Sequence, residues 1–265
     1  MQILFIGDVF GSPGRKIVRE HVHHLVESNR AELLVINVEN AAGGFGVTPA
    51  ICEEFFELGA DVLTTGNHVW DKKEIGEYLD SGMKNGNSAA RRVLRPANYP
   101  ATTPGSGHYE GVTRSGVAYA VMNLQGRVFM VQNDCPFRTA DRLLGQTKAK
   151  VILVDMHAEA TSEKIAMGWY LDGRVTAVLG THTHVATADT RVLPNGTAYQ
   201  TDVGMSGPHD SVIGVEKEQV LARFLTSMPN RFDAARGDVR LNGVLIDCDP
   251  QTGCASSIQR IVLGQ

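Results

Sequence analysis

Three features of this 265-residue chain predict an α/β fold with a reactive rim at the carboxyl ends of its strands. Short apolar runs occur at residues 3–6, 33–36, 62–63, 151–154 and 175–179, each reading as a strand covered on both faces. Segments with helical spacing separate them. Every run then ends in polar, ligand-type residues: Gly7-Asp8, Asn37-Val38-Glu39-Asn40, Gly66-Asn67-His68, Asp155-Met156-His157 and Gly180-Thr181-His182-Thr183-His184. In open α/β sheets the ligand lies outside the carboxyl ends of the strands, so these clusters are expected to meet on one rim. A lone Asp or His after a strand is usually a cap or a turn, but capping does not explain five such ends carrying carboxylates, amides and imidazoles.

In chain order, Gly11-Ser12-Pro13-Gly14 opens a helix over 13–29, with Ile17, Val18, Val22, Leu25 and Val26 at helical spacing. The glycine pattern does not match a dinucleotide fingerprint, and no ribose-binding acid follows the next strand, so the glycines are read as backbone room beside a metal. His21, His23 and His24 fall on a solvated face of this helix. Residues 41–46 form a glycine-rich loop at the rim, and Thr48-Pro49 starts the next helix with a cap and a first-turn proline. Gly59 closes that helix before the third strand. Asp71 is expected to cap a helix over 72–80.

Residues 81–140 break the rhythm with prolines, glycines and short strands at 108–113 and 117–123. They are expected to continue a second sheet or form a lid, from which residues 133–137 approach the site. The α/β pattern then returns with a strand to Asp155, a helix over 159–172 and a strand to Gly180. A strand at 197–200 and a glycine-rich turn at 201–207 follow, then a helix over 216–228 and strands at 240–248 and 256–263. No linker or repeat divides the chain, so residues 1–265 are expected to form a single domain.

A formal net charge of −4 argues against a dedicated binder of long duplex DNA, which would carry a clustered basic patch. A short nucleotide remains compatible, because metal ions would supply the positive charge. The four cysteines show no C-x-x-C pair and read as reduced thiols. No apolar run approaches the ~18 residues of a membrane span, and no signal sequence is evident, so a cytoplasmic enzyme is expected. A homo-oligomer is compatible with the sequence, which does not fix the oligomeric state.

The ordered motifs Gly-Asp-x-x, Glu-Asn, Gly-Asn-His, His and Gly-x-His-x-His resemble those of the calcineurin-like metallophosphoesterases. The likeness is strongest to the YmdB-like branch, where Gly7-Asp8-Val9-Phe10-Gly11, Asn37-Val38-Glu39-Asn40 and Thr201-Asp202-Val203-Gly204-Met205 recur, and it spans nearly the whole chain. It implies a metallophosphoesterase-type β-sandwich flanked by helices, with the metal site at the carboxyl ends of the strands. Two positions depart from the wider superfamily: Phe10 stands where a histidine is usual, and Glu39 where the bridging acid is usually Asp. Both departures are usual in the branch, and the resemblance gives the vacated ligand place to Asn40. Phe10 itself either packs or stands open to a nitrogen ligand.

Two ions about 3.5 Å apart need a shared carboxylate, and Glu39 is the candidate. One site would then be Asp8, Glu39, Asn40 and His184; the other would be Glu39, Asn67, His157 and His182. Oxygen and nitrogen donors without thiolate favour iron or manganese, with zinc as a substitute. A metal-bridging hydroxide would attack phosphorus, and His68, adjacent to Asn67 but facing away, would protonate the leaving oxygen. The resemblance points to phosphodiesters, specifically 2′,3′-cyclic nucleotides. A phosphomonoesterase or phosphoprotein phosphatase would use the same metals. A regulatory nucleotide- or RNA-binding protein with a vestigial site is the non-enzymatic alternative.

Overall fold

Strand β1 (Gln2–Ile6) turns Ile3 and Phe5 to one face and Leu4 and Ile6 to the other, and both faces are buried. The computed structural model describes residues 1–264. From β1 the chain runs through α1 (Gly11–Asn29), β2 (Leu33–Asn37), α2 (Pro49–Glu57), β3 (Val62–Thr64), α3 (Glu74–Lys84) and β4 (Val93–Leu94). A second sheet takes β5 (His108–Val112), β6 (Ala118–Gln125), β7 (Val151–His157), β8 (Ala177–Thr181), β9 (Arg191–Val192) and β10 (Ala198–Gln200), with α4 (Pro136–Leu144) and α5 (Thr161–Leu171) between its strands. The chain returns to the first sheet with β11 (Gly207–Pro208), β12 (Val239–Cys248) and β13 (Ala255–Gly264), and α6 (Lys217–Thr226) lies between β11 and β12.

In the first sheet β1 to β4 are parallel neighbours, and β12 closes the β1 side antiparallel. In the second, β6, β7, β8 and β10 are parallel, flanked by antiparallel β5 and β9. The sheets face one another through a shared core that includes Ile3, Phe5, Val35, Val121, Leu153 and Leu179. Outside the first sheet, Leu4 and Ile6 pack with Val18 and Val22 of α1 and Phe55 of α2. Outside the second, Val154 packs with Met167 and Leu171 of α5. The result is a helix, sheet, sheet, helix sandwich, in which each fully buried large apolar side chain contributes roughly 1.5–3 kcal/mol.

Several expectations shift on this frame. Helix α1 begins at Gly11, two residues early, and His23 and His24 are exposed on it. A Cβ at Gly14 would lie 2.2 Å from the carbonyl oxygen of Ser206, so the glycine serves a close backbone approach. Thr48 caps α2 by accepting from the Ile51 backbone, ahead of Pro49. Asp71 does not cap the third helix: α3 starts at Glu74 behind an uncapped Lys73, because the Asp71 carboxylate is engaged with the ring of His68. Residues 81–140 supply the end of α3, β4, and the β5 and β6 edge of the second sheet. Among the described residues, no helix is long and apolar enough to cross a membrane.

Candidate metal centre

Every expected ligand lies at or just past the end of a parallel strand. Asp8 follows β1, Glu39 and Asn40 follow β2, Asn67 and His68 follow β3, His157 ends β7, and His182 and His184 follow β8. Parallel pairing within each sheet puts these ends on one rim, which gathers groups scattered over most of the sequence. Asp8, Glu39, Asn40, His157 and His184 are buried, while Asn67, His68 and His182 are partly open.

Nε2 of His157 is the centre of the cluster. It lies 2.9 Å from Oε2 of Glu39, 2.9 Å from Oδ1 of Asn67 and 3.1 Å from Nδ1 of His182. A Cβ at residue 66 would sit 2.2 Å from the same nitrogen, so Gly66 gives the imidazole its room. The other ring nitrogen decides what Nε2 carries. Nδ1 of His157 is 3.0 Å from the Thr181 hydroxyl, whose single proton goes to Oδ1 of Asp155 at 2.7 Å. Thr181 is therefore an acceptor for Nδ1–H, and Nε2 presents a lone pair. With that ring neutral, four lone-pair atoms face one another, and Oε2 of Glu39 has no partner besides the ring. Such a set fits a cation.

Burial pulls the carboxyl of Glu39 upward, but the His157 imidazole beside it more than reverses this and holds it near 2. Burial likewise disfavours a charged His157, and the Glu39 carboxylate raises it above the usual range. Burial and the charge of His157 push His182 down to about 3. Without a metal, a proton on His157 neutralises the carboxylate. Burial also raises Asp8, whose Oδ2 accepts from the His182 backbone at 3.0 Å while its Oδ1 has no partner.

The other expected ligand set is less converged. Asn40 meets Nε2 of His184 at 3.1 Å with its amide nitrogen forward, and Nδ1 of His184 donates to the Ile213 carbonyl at 2.8 Å. Holding a cation there requires the Asn40 oxygen in place of the nitrogen. His68 stands apart from both sets. Its backbone N–H donates to Oε1 of Glu39 at 2.6 Å, and its ring pairs through Nδ1 with Asp71 at 2.9 Å. Phe45 of the glycine-rich loop meets that ring edge-on at 5.2 Å.

A sequence profile described as "YmdB-like protein" matches residues 4–261. The chain belongs to the YmdB-like family of calcineurin-like metallophosphoesterases. It is 49% identical to the 2′,3′-cyclic-nucleotide 2′-phosphodiesterase of Bacillus subtilis, over 99% of this chain and 97% of that protein. A crystal structure of a hypothetical protein from Thermus thermophilus superposes with a TM-score of 0.91 at 44% identity, covering all of both chains. A novel phosphatase from Mycoplasma pneumoniae superposes equally well, at 0.91 and 31% identity, covering this chain fully and 93% of its own.

In this YmdB-like chain, Phe10 is packing. It is buried with Met205, Val215 and Val220, and its ring stands edge-on to His184 at 5.5 Å. It thereby ties the segment between β11 and β12 to the metal-site loop. Residues 133–137 do not line the cavity over the site: the Asp134 N–H bonds the Asn98 carbonyl, and Pro136 opens α4.

His182 and His184 both take left-handed backbone conformations, with φ of 99° and 67°. For residues with a Cβ this costs on the order of 1–3 kcal/mol each, so the loop must be held by its surroundings. Asp8 holds the His182 N–H from one side. From the other, the buried carboxylate of Asp202 accepts from the Thr183 N–H at 3.1 Å, the Thr183 hydroxyl at 2.8 Å and the Gly204 N–H at 2.9 Å. Its cation is Lys164 at 2.7 Å, equally buried at 1% exposure. Lys164 on α5 and Glu159, whose carboxylate meets Nε2 of His182 at 3.0 Å, carry no signal of their own in the sequence, and the motif around Asp202 does not disclose its role as a clamp.

Lys164→Met is expected to leave Asp202 charged and alone, at a cost of about 3–5 kcal/mol. Chemical denaturation should show that loss, and Lys164→Met/Asp202→Asn should recover part of it. A single variant as stable as the wild type would show that the pair does not brace the loop.

Proposed function

We propose that the chain is a dinuclear-metal phosphodiesterase acting on 2′,3′-cyclic nucleotides. The observation that carries this reading is the ring of lone-pair atoms around Nε2 of His157, formed by Glu39, Asn67 and His182, together with a buried, unpartnered Asp8 oxygen whose other oxygen holds the His182 backbone. Glu39, Asn67, His157 and His182 would hold one ion, and Asp8, Glu39, Asn40 and His184 the other. Glu39 would belong to both sets. The donor set suits iron or manganese, with zinc as a substitute. When bound, the ions supply the charge that draws in phosphoryl oxygens and acidifies a water.

The chain's own residues supply the rest. Asp71 engages Nδ1 of His68 and leaves Nε2 as the nitrogen that hands a proton to the departing ribose oxygen. Thr181 and Asp155 keep His157 in the tautomer whose Nε2 is bare. Burial raises Asp155 to about 6, against the charge of His157 and the hydrogen bonds from Thr64, Thr181 and Asn37, which favour its carboxylate. The activity of the Bacillus subtilis relative supports the substrate class. The net charge of −4 and the four free thiols support small cytoplasmic nucleotides over long duplex DNA.

The test is metal analysis followed by turnover of 2′,3′-cyclic AMP against adenosine 2′- and 3′-monophosphates. About two ions per chain and preferential opening of the cyclic diester are expected. Faster hydrolysis of the monoesters would make the protein a phosphomonoesterase. A metal-loaded protein that binds nucleotide without turnover would make it a binding protein.

A further inference from the structure

A cavity of about 560 Å³ opens over the centre, within the ~300–1,000 Å³ usual for small-molecule sites. Part of its lining is the site itself: Asn40, His68, His182 and His184. The rest comes chiefly from residues 209–238, the excursion between β11 and β12 that carries α6. This segment is anchored beneath by Val215 and Val220 on Phe10, yet α6 offers Phe224 to the cavity at 79% exposure. Beside it, the Arg223 guanidinium lies 5.5 Å over the ring of Phe232, which also lines the cavity. Among the described residues, Arg223 makes no ion pair.

We infer that Phe224, with Arg223 and Phe232, forms the subsite that receives the nucleobase of the substrate. This rests on the phosphodiesterase reading above and adds to it the residues that would make a nucleoside part worth recognising. The cavity shares Asn40, His68, His182 and His184 with the candidate centre, so a group that fills it would lie beside a phosphate held there. Its outer wall is apolar and aromatic, matched to a flat ring. An aromatic face accepts any base, and a guanidinium with free N–H groups can reach ring nitrogens or carbonyl oxygens at the base edge. Glu159, the acid on the lining, is already engaged by His182.

The experiment compares 2′,3′-cyclic AMP with methyl riboside 2′,3′-cyclic phosphate, which has the same scissile bonds and no base. The wild type should favour the nucleotide by roughly 10–100-fold in kcat/KM, the worth of one base on an aromatic face. Phe224→Ala should remove most of that preference, mainly through KM, and leave the base-free diester unchanged. Phe224→Trp should keep it. Leu225→Ala, also on α6 but off the cavity, should alter neither substrate. Equal loss on both diesters, or no loss on either, overturns the subsite. A shift in sedimentation of Phe224→Ala with the preference intact overturns it too, because the face would then be a contact between copies of the chain. If the wild type opens neither diester, the hydrolytic reading fails, and broadening of the adenosine ring-proton signals by the protein judges the subsite alone. It should be present with the wild type and lost with Phe224→Ala; its absence with the wild type overturns the inference.

Discussion

Glu39→Gln should lower kcat by on the order of 10²–10⁴-fold and release at least one metal ion, because a neutral amide cannot hold two cations as a carboxylate does. The geometry makes the loss specific. Oε2 of Glu39 is 2.9 Å from Nε2 of His157 and has no other partner in the chain. With His157 neutral, the substituted amide would turn an N–H onto the Nε2 lone pair, the place an ion would take, while its oxygen still accepts from the His68 backbone. The metal-free variant gives up the buried pair of the Glu39 carboxylate with the protonated His157, so it should also melt below the metal-free wild type. A Glu39 that served only as a turn cap would lose about 1 kcal/mol of stability and keep its ions. Metal content separates the two. Two ions at wild-type occupancy with full activity would remove Glu39 from the bridging position.

Most of this centre was legible because strand ends are legible. An apolar run followed at once by Asp8, Glu39, Asn67, His157 or His182 states both the element and its reacting end, and parallel pairing does the gathering. Groups whose partners lie far away in sequence were not legible. Asp71 reads as a helix cap by its position, and only the fold shows that its carboxylate is taken by His68. Lys164 looks like an ordinary helical surface residue, and nothing local announces that it enters the interior to meet Asp202 across 38 positions. Phe224 sits on a helix whose apolar residues suggest a core face. In the fold Val220 alone of that helix is buried, and Leu221, Phe224 and Leu225 are exposed. The cavity over the candidate centre was invisible for the same reason: it exists only where the β11–β12 excursion folds back over the rim.

His68→Ala should keep both ions, since the ring takes no part in the cluster around His157. The adjacent Asn67 points its amide oxygen at that cluster, 2.9 Å from Nε2 of His157, while His68 turns its ring to Asp71 and to the cavity. With the ring gone, kcat for a cyclic nucleotide should fall about 10²–10⁴-fold, the usual worth of a positioned general acid. The leaving group supplies the discriminating measurement. A ribose alkoxide is a poor leaving group without a proton, whereas nitrophenolate departs unaided, so the loss should shrink sharply on a nitrophenyl diester. Asp71→Asn should fall between the wild type and His68→Ala on the nucleotide, because it weakens the hold on the ring without removing it. Equal impairment on alkyl and nitrophenyl diesters would rule out proton donation. Loss of an ion from His68→Ala would instead make His68 a ligand. If the pair with Asp71 were only a brace for the turn ahead of α3, both variants would melt earlier and leave the ratio between the two substrates where it was.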